Sequence, residues 1–91
     1  MNTEEIQNFL KNHKLTQEKY LKITFKKRDA VYGIIINNSD TADLESKNFW
    51  RIVTLVNLPE WYKNKNISIS RIFNGSEFVK LAVEQQQLQK T

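Results

Sequence analysis

The chain has no cysteine, one histidine, one proline and two glycines in 91 residues. Each scarcity closes off some chemistry. Without cysteine there is no disulfide, no thiolate nucleophile and no zinc–sulfur site. The two glycines, Gly33 and Gly75, cannot supply a G-x-G-x-x-G phosphate cradle. A chain of 91 residues is also too short for a doubly wound dehydrogenase, a barrel enzyme or a two-domain clamp. The one histidine, His13, falls on an apolar helix stripe, where a packed or edge histidine is expected rather than a base. Serines and threonines have no general base near them in sequence. No segment approaches the roughly 20 apolar residues of a membrane span. The first apolar residues, Ile6, Phe9 and Leu10, are spaced, unlike the continuous core of a signal peptide. The expectation is a cytoplasmic, non-enzymatic protein with no cofactor, no metal and no membrane partner.

What is present suffices for a folded core. Apolar residues make up 40% and aromatics 11%, which is not a disordered composition. A chain of this size buries only about 60–65% of its unfolded surface, so that core is modest. The net charge is +4 and the pI near 9.4, compatible with nucleic acid without requiring it. The charge is unevenly spread. One basic stretch carries Lys22, Lys26, Lys27 and Arg28, and a second carries Lys63, Lys65 and Arg71. Between them lies an acidic middle with Asp40, Asp43, Glu45 and Glu60. Solvated surface is the ordinary reading of such runs.

Periodicity predicts one helix, then strands. Asn2 with Glu5 three residues on has the form of a capping box, and Ile6, Phe9, Leu10 and His13 make one helical stripe over residues 3–14. From residue 20 the period is two: Leu21, Ile23 and Phe25 alternate with Lys22, Thr24 and Lys26. A second strand over 30–36 contains Ile34-Ile35-Ile36, a run expected to be buried on both faces. Gly33 inside it predicts a bulge or a sharp bend. Residues 37–47 read as a polar loop, with a bent strand end near Ala42 and Leu44. A third strand covers 48–56, where Phe49 and Trp50 read as packing. A helical turn follows over 57–62, with Asn57 as cap and Pro59 in the first turn. The fourth strand is expected over 67–73, a type I′ hairpin turn at Asn74-Gly75, and a fifth strand over 78–83. Residues 1–84 read as one small domain and 85–91 as a frayed tail.

The fold class expected is α+β: an N-terminal helix over a five-stranded, strongly bent antiparallel barrel spanning 20–83, with a short helical turn between strands 3 and 4. Closure would remove exposed edges. A glycine in the second strand, a polar loop and a final strand–turn–strand with an Asn-Gly step resemble the Sm fold, a small barrel of SH3-like type. Ile72-Phe73-Asn74-Gly75-Ser76-Glu77-Phe78-Val79 resembles the second Sm motif, and residues 30–44 loosely resemble the first. Lys47-Asn48-Phe49-Trp50-Arg51-Ile52-Val53 and Arg71-Ile72-Phe73-Asn74-Gly75-Ser76-Glu77-Phe78 are similar to segments of a set of small bacterial proteins without an assigned function. Some of those carry a short-chain dehydrogenase label, which two glycines contradict.

The Sm resemblance implies an RNA site built from an aspartate and an asparagine after the second strand and an arginine before the late glycine. Here those positions fall on Ser39 (or Asp40 after a one-residue shift), Asp43 and Asn74. Asp43 in place of an asparagine repels phosphate, and Asn74 lacks the arginine charge. A looser nucleic-acid reading uses Lys26, Lys27 and Arg28 as one basic turn and Lys63, Lys65 and Arg71 as another. Tyr32, Trp61 and Tyr62 would then be stacking groups, if they are not simply core or rim. Asp40, Asp43 and Glu45 are oxygen ligands of the right kind for a hard cation, but the loop lacks a calcium-loop pattern and reads first as solvated acid. The favoured function is a self-associating interaction module, a homo-oligomer (a dimer before a ring) joined through the fourth and fifth strands. The alternative is an Sm-like RNA-binding protein.

Overall fold

Reciprocal capping starts the first element. Asn2 Oδ1 accepts from the Glu5 amide at 2.8 Å, and Glu5 Oε1 accepts from the Asn2 amide at 2.9 Å. The computed structural model, which describes residues 1–15 and 18–85, places helix α1 at Thr3–Asn12. It stops short of the expected 14 because His13 takes the C-cap position, its amide bonded to the Leu10 carbonyl. Five strands follow: β1 (Lys19–Phe25), β2 (Val31–Ile35), β3 (Phe49–Thr54), β4 (Arg71–Asn74) and β5 (Phe78–Gln85). Helix α2 (Thr41–Ser46) precedes β3 and helix α3 (Leu58–Asn64) follows it. The class is α+β, with one antiparallel sheet in the order β4-β3-β2-β1-β5.

Strand alternation sorts the apolar residues onto two faces. Leu21, Ile23, Phe25, Val31, Trp50, Ile52 and Leu81 point to one face, where Ile6 of α1 closes over them. Phe9, Leu10, Phe73 and Val83 pack at the margin of that cluster. The other face gathers Ile34, Ile36 and Val53 under Leu58 of α3, flanked by Tyr20, Trp61, Tyr62, Ile67 and Ile69. The Ile34-Ile35-Ile36 run therefore serves both layers, as its lack of polar alternation implies. Pro59 lies in the first turn of α3 as expected, but the Asn57 side chain caps nothing.

The sheet is strongly curved and open. In the strand order β4 and β1 are three positions apart, which in a flat sheet is roughly 14 Å. The Phe25 and Phe73 rings nevertheless meet with centroids 5.7 Å apart, and Phe25 also meets Phe78 at 5.1 Å. The bend brings the β4 side and the β5 side to one ring. No β4–β5 ladder closes the seam among the described residues, so both strands are edges rather than parts of a barrel.

Several local expectations fail for identifiable reasons. Asn74-Gly75 is not a type I′ turn: Asn74 has φ −85° and no glycine has positive φ. A 3₁₀ turn, Gly75–Glu77, leads instead into β5, which pairs with β1. Gly75 is glycine for space. A Cβ there would sit 2.3 Å from Asn48 Oδ1, 2.7 Å from Trp50 Nε1 and 2.8 Å from Ile6 Cδ1. Gly33 is likewise no bulge; it pairs in register with Leu21 and Thr54, and a Cβ would lie 2.1 Å from the Val53 carbonyl oxygen. The register break falls elsewhere, between Thr24 and Phe25 of β1, opposite Val79.

The expected fourth strand begins four residues late, at Arg71, because residues 67–69 form a 3₁₀ turn. Asn66 Oδ1 accepts from the Ser68 amide and hydroxyl, and the Ser70 hydroxyl donates to the Ile67 carbonyl, local bonds that compete with a ladder. The polar stretch 37–47 holds α2, started by the Asn38 amide donating to Thr41 Oγ1. Ala42 and Leu44 are thus helical, not a strand end. Gln85 pairs with Lys19 in β5, so it is no frayed residue; the rest of the expected tail lies outside the described residues.

Candidate functional site

The β1–β2 turn is basic because three successive polar residues, Lys26, Lys27 and Arg28, break the strand period just after Phe25. All three are exposed. The turn is pinned from below, since the Lys26 amide donates to the Glu77 carbonyl at 3.0 Å. Arg28 folds inward, its guanidinium carbon 5.2 Å from the Phe25 ring centroid and 5.6 Å from that of Phe73. A guanidinium resting on two ring faces keeps its N–H edge free for a planar anion. Between this turn and the outer side of β4 runs an open groove of about 270 Å³. Phe25 and Phe73 form its floor, Lys27 and Arg28 one wall, and Ile72, Asn74 and Glu77 the other side. It is the unclosed seam of the curved sheet.

The second basic stretch forms a different surface. Lys65, at φ 52°, ends α3 in a left-handed cap. Its ammonium lies 5.3 Å from the Trp61 ring centroid and 5.0 Å from that of Tyr62. Lys63 is exposed on the last turn of α3, and Arg71 is exposed at the start of β4. Tyr32 is partly exposed in mid-sheet, edge-on to Tyr20 with centroids 6.2 Å apart. Burial pushes the Tyr62 phenol above its ordinary 10.0. The two aromatics of α3 are half-buried packing with a cation laid across them, not bare stacking platforms.

Of the predicted site residues, Lys27 and Arg28 come together around this groove, and Lys26 adjoins it. Asp43 pairs with Lys47 at 3.6 Å on exposed α2. Asp40 instead binds Arg51, whose guanidinium also donates to Ser70 Oγ at 3.1 Å. Glu45 accepts from Gln7 Nε2 at 2.7 Å. The three carboxylates therefore serve three partners, and no grouping of three potential metal ligands occurs among the described residues. His13 stacks on Phe9 at 4.1 Å and its Nδ1 lies 2.9 Å from the Phe9 carbonyl, a capping arrangement.

Sequence reasoning missed Phe25, Ile72, Phe73 and Glu77 as groove residues, and considered Asn74 only as the position of the Sm-type arginine. Only the curvature brings them to the basic turn, and no local pattern encodes it. It also missed the Arg51–Asp40 pair. Among the described residues no helix is long and apolar enough to cross a membrane. Comparison with protein-family models, with curated proteins and with solved structures gave no match.

Proposed function

We propose that this chain is a non-enzymatic interaction module, an SH3-like domain of Sm-like kind with its seam open, that forms a dimer by pairing β5 with β5 of a second copy. The SH3-like reading is supported by the return of β5 to lie beside β1, by the 3₁₀ turn linking β4 to β5, and by the convergence of both edges on Phe25.

The observation that carries the dimer is the self-complementary outer edge of β5. An unpaired edge strand is a template for another chain unless charge or a bulge blunts it. The bulge lies at Val79, leaving residues 80–85 regular. That stretch holds two charges of opposite sign, Lys80 and Glu84, placed symmetrically about Ala82. A two-fold axis through Ala82 brings Lys80 of each copy opposite Glu84 of the other, and Leu81 opposite Val83. The contact is isologous and closes at two copies.

Light scattering at micromolar concentration is expected to give twice the 10.8 kDa of the chain. Lys80→Glu and Glu84→Lys singly set like charges opposite each other and return the monomer. Combining them restores the dimer. A monomer for the unsubstituted chain, or single variants that stay dimeric, overturns the proposal.

A further inference from the structure

We infer that the groove between β4 and the Lys26–Arg28 turn is a docking site for an extended acidic segment of a partner protein, which adds to β4 as a sixth strand. This goes beyond self-association at β5, because it uses the opposite edge of the sheet.

Three observations point to such a ligand. The first is the free edge. β4 pairs with β3 through Arg71, Ile72, Phe73 and Asn74, and no strand lies on its other side among the described residues. Its outward backbone groups have the spacing that only another extended chain matches. The second is the wall facing that edge. The open seam sets an aromatic floor beneath the free strand, and Ile72, 49% exposed, stands at its lip. An alternate side chain of an added strand has apolar surface to cover there.

The third is charge. Lys27 and Arg28 line one side of the seam, Lys26 adjoins them in the turn and Arg71 begins β4, against Glu77 within the groove and Asp29 beside the turn. The excess is positive. Arg28 is already held over Phe25 and Phe73, so less freedom is lost when it grips a carboxylate. The same stacking argues against a nucleic acid here. Phe25 is 7% exposed and the Arg28 guanidinium already lies over both rings, in the position a stacked base would take. A strand paired along the four residues of β4 spans about 13 Å. The partner motif is thus a short extended segment alternating carboxylate and aliphatic side chains.

The test follows amide chemical shifts of the full chain on titration with three probes: an alternating Glu-Val hexapeptide, its Lys-Val counterpart, and oligouridylate. The Glu-Val peptide is expected to move Arg71 to Asn74 together with Lys27 and Arg28, and to bind at least about tenfold more tightly than the Lys-Val peptide. Arg28→Glu should weaken it about tenfold. Exposed Lys27→Glu, which touches no core ring, should weaken it in the same direction, so the result does not hang on one variant. The monomeric Lys80→Glu chain should bind as the unsubstituted chain does, which separates this site from the β5 interface. Equal binding of both peptides, shifts confined to β5, or a response to oligouridylate alone overturns the inference.

Discussion

The two faces of the sheet are built to different standards. Under α1, the largest side chains are sealed: Ile6, Leu21, Ile23 and Ile52 have no exposed surface, and Trp50 and Phe78 almost none. Under α3 only Ile34, Ile36, Val53 and Leu58 are buried, and the bulk of the layer is half-buried Trp61, Tyr62, Ile67 and Ile69. The polar groups differ in the same way. On the α1 side, the Trp50 indole donates to Asn48 Oδ1 at 2.8 Å and Asn48 Nδ2 donates to the Met1 carbonyl at 2.9 Å. The Gly75 amide reaches the Asn48 carbonyl at 2.7 Å. On the α3 side, the cation of Lys65 simply lies across two rings at the solvent boundary. One small domain can afford one well-sealed layer; the second is a cover that leaves stem and ring surface in water.

The sharpest way to break the contrast is to cut matched cavities. Ile23→Ala on the α1 face removes a side chain with no exposed surface from neighbours that are themselves sealed, so little can collapse into the gap. Its cost should lie near the top of the roughly 2–5 kcal/mol range for such truncations. Leu58→Ala, under half-buried neighbours that can settle or admit water, should lie near the bottom. At about 4–8 °C per kcal/mol for a chain of this size, thermal unfolding separates the two plainly. Equal losses would mean that the α3 layer is as rigid as the α1 layer.

Adding a methyl group sharpens the contrast where cutting breaks it. Gly33→Ala drives a Cβ to 2.1 Å from a backbone carbonyl oxygen, so β2 and β3 must separate, at a cost of about 3 kcal/mol or more. Gly75→Ala meets side-chain atoms instead, Asn48 Oδ1, Trp50 Nε1 and Ile6 Cδ1. Those atoms are tied by hydrogen bonds or burial, so the cost is about 1–3 kcal/mol rather than nothing. Combining Gly75→Ala with Asn48→Ala should then cost less than the sum, because the second change removes the closest obstacle. Additive losses by denaturant titration would show that Gly75 is not seated on Asn48.

These positions also mark where the sequence is readable. The α1 stripe and its capping box, the alternation of β1, and the two-faced Ile34–Ile36 run are local patterns, and the structure repeats them. Both glycines look special in the sequence, but the local reading supplies the wrong cause. A hairpin turn and a bulge are local explanations, whereas the actual ones are atoms of Asn48, Trp50 and Val53 brought close by folding. Residues 67–69 have a strand-like composition and lose to Asn66 and Ser70 side chains bonding the nearby backbone. At the groove, the basic turn was legible from three adjacent residues, while its aromatic floor depends on curvature that joins Phe25 to Phe73 across the sheet.

The smallest effect tests the looser face by pH. Tyr62 is half-buried on α3, and loss of water around its phenol disfavours the phenolate, which raises its pKa above the ordinary 10.0. Lys65 lies over the ring and does not reverse this direction. Above pH 10.0 the unfolded chain releases a proton that the folded chain keeps, so the folded state binds more protons and stability falls as pH rises. Below that pH both states hold the proton and the contribution is fully present. Denaturant titrations on either side of pH 10 should show this decline, and Tyr62→Phe should flatten it without changing stability at neutral pH by more than about 1 kcal/mol. An unchanged decline in Tyr62→Phe would assign it to another group that the folded chain keeps protonated, and leave the Tyr62 phenol as well hydrated in the folded chain as in the unfolded one.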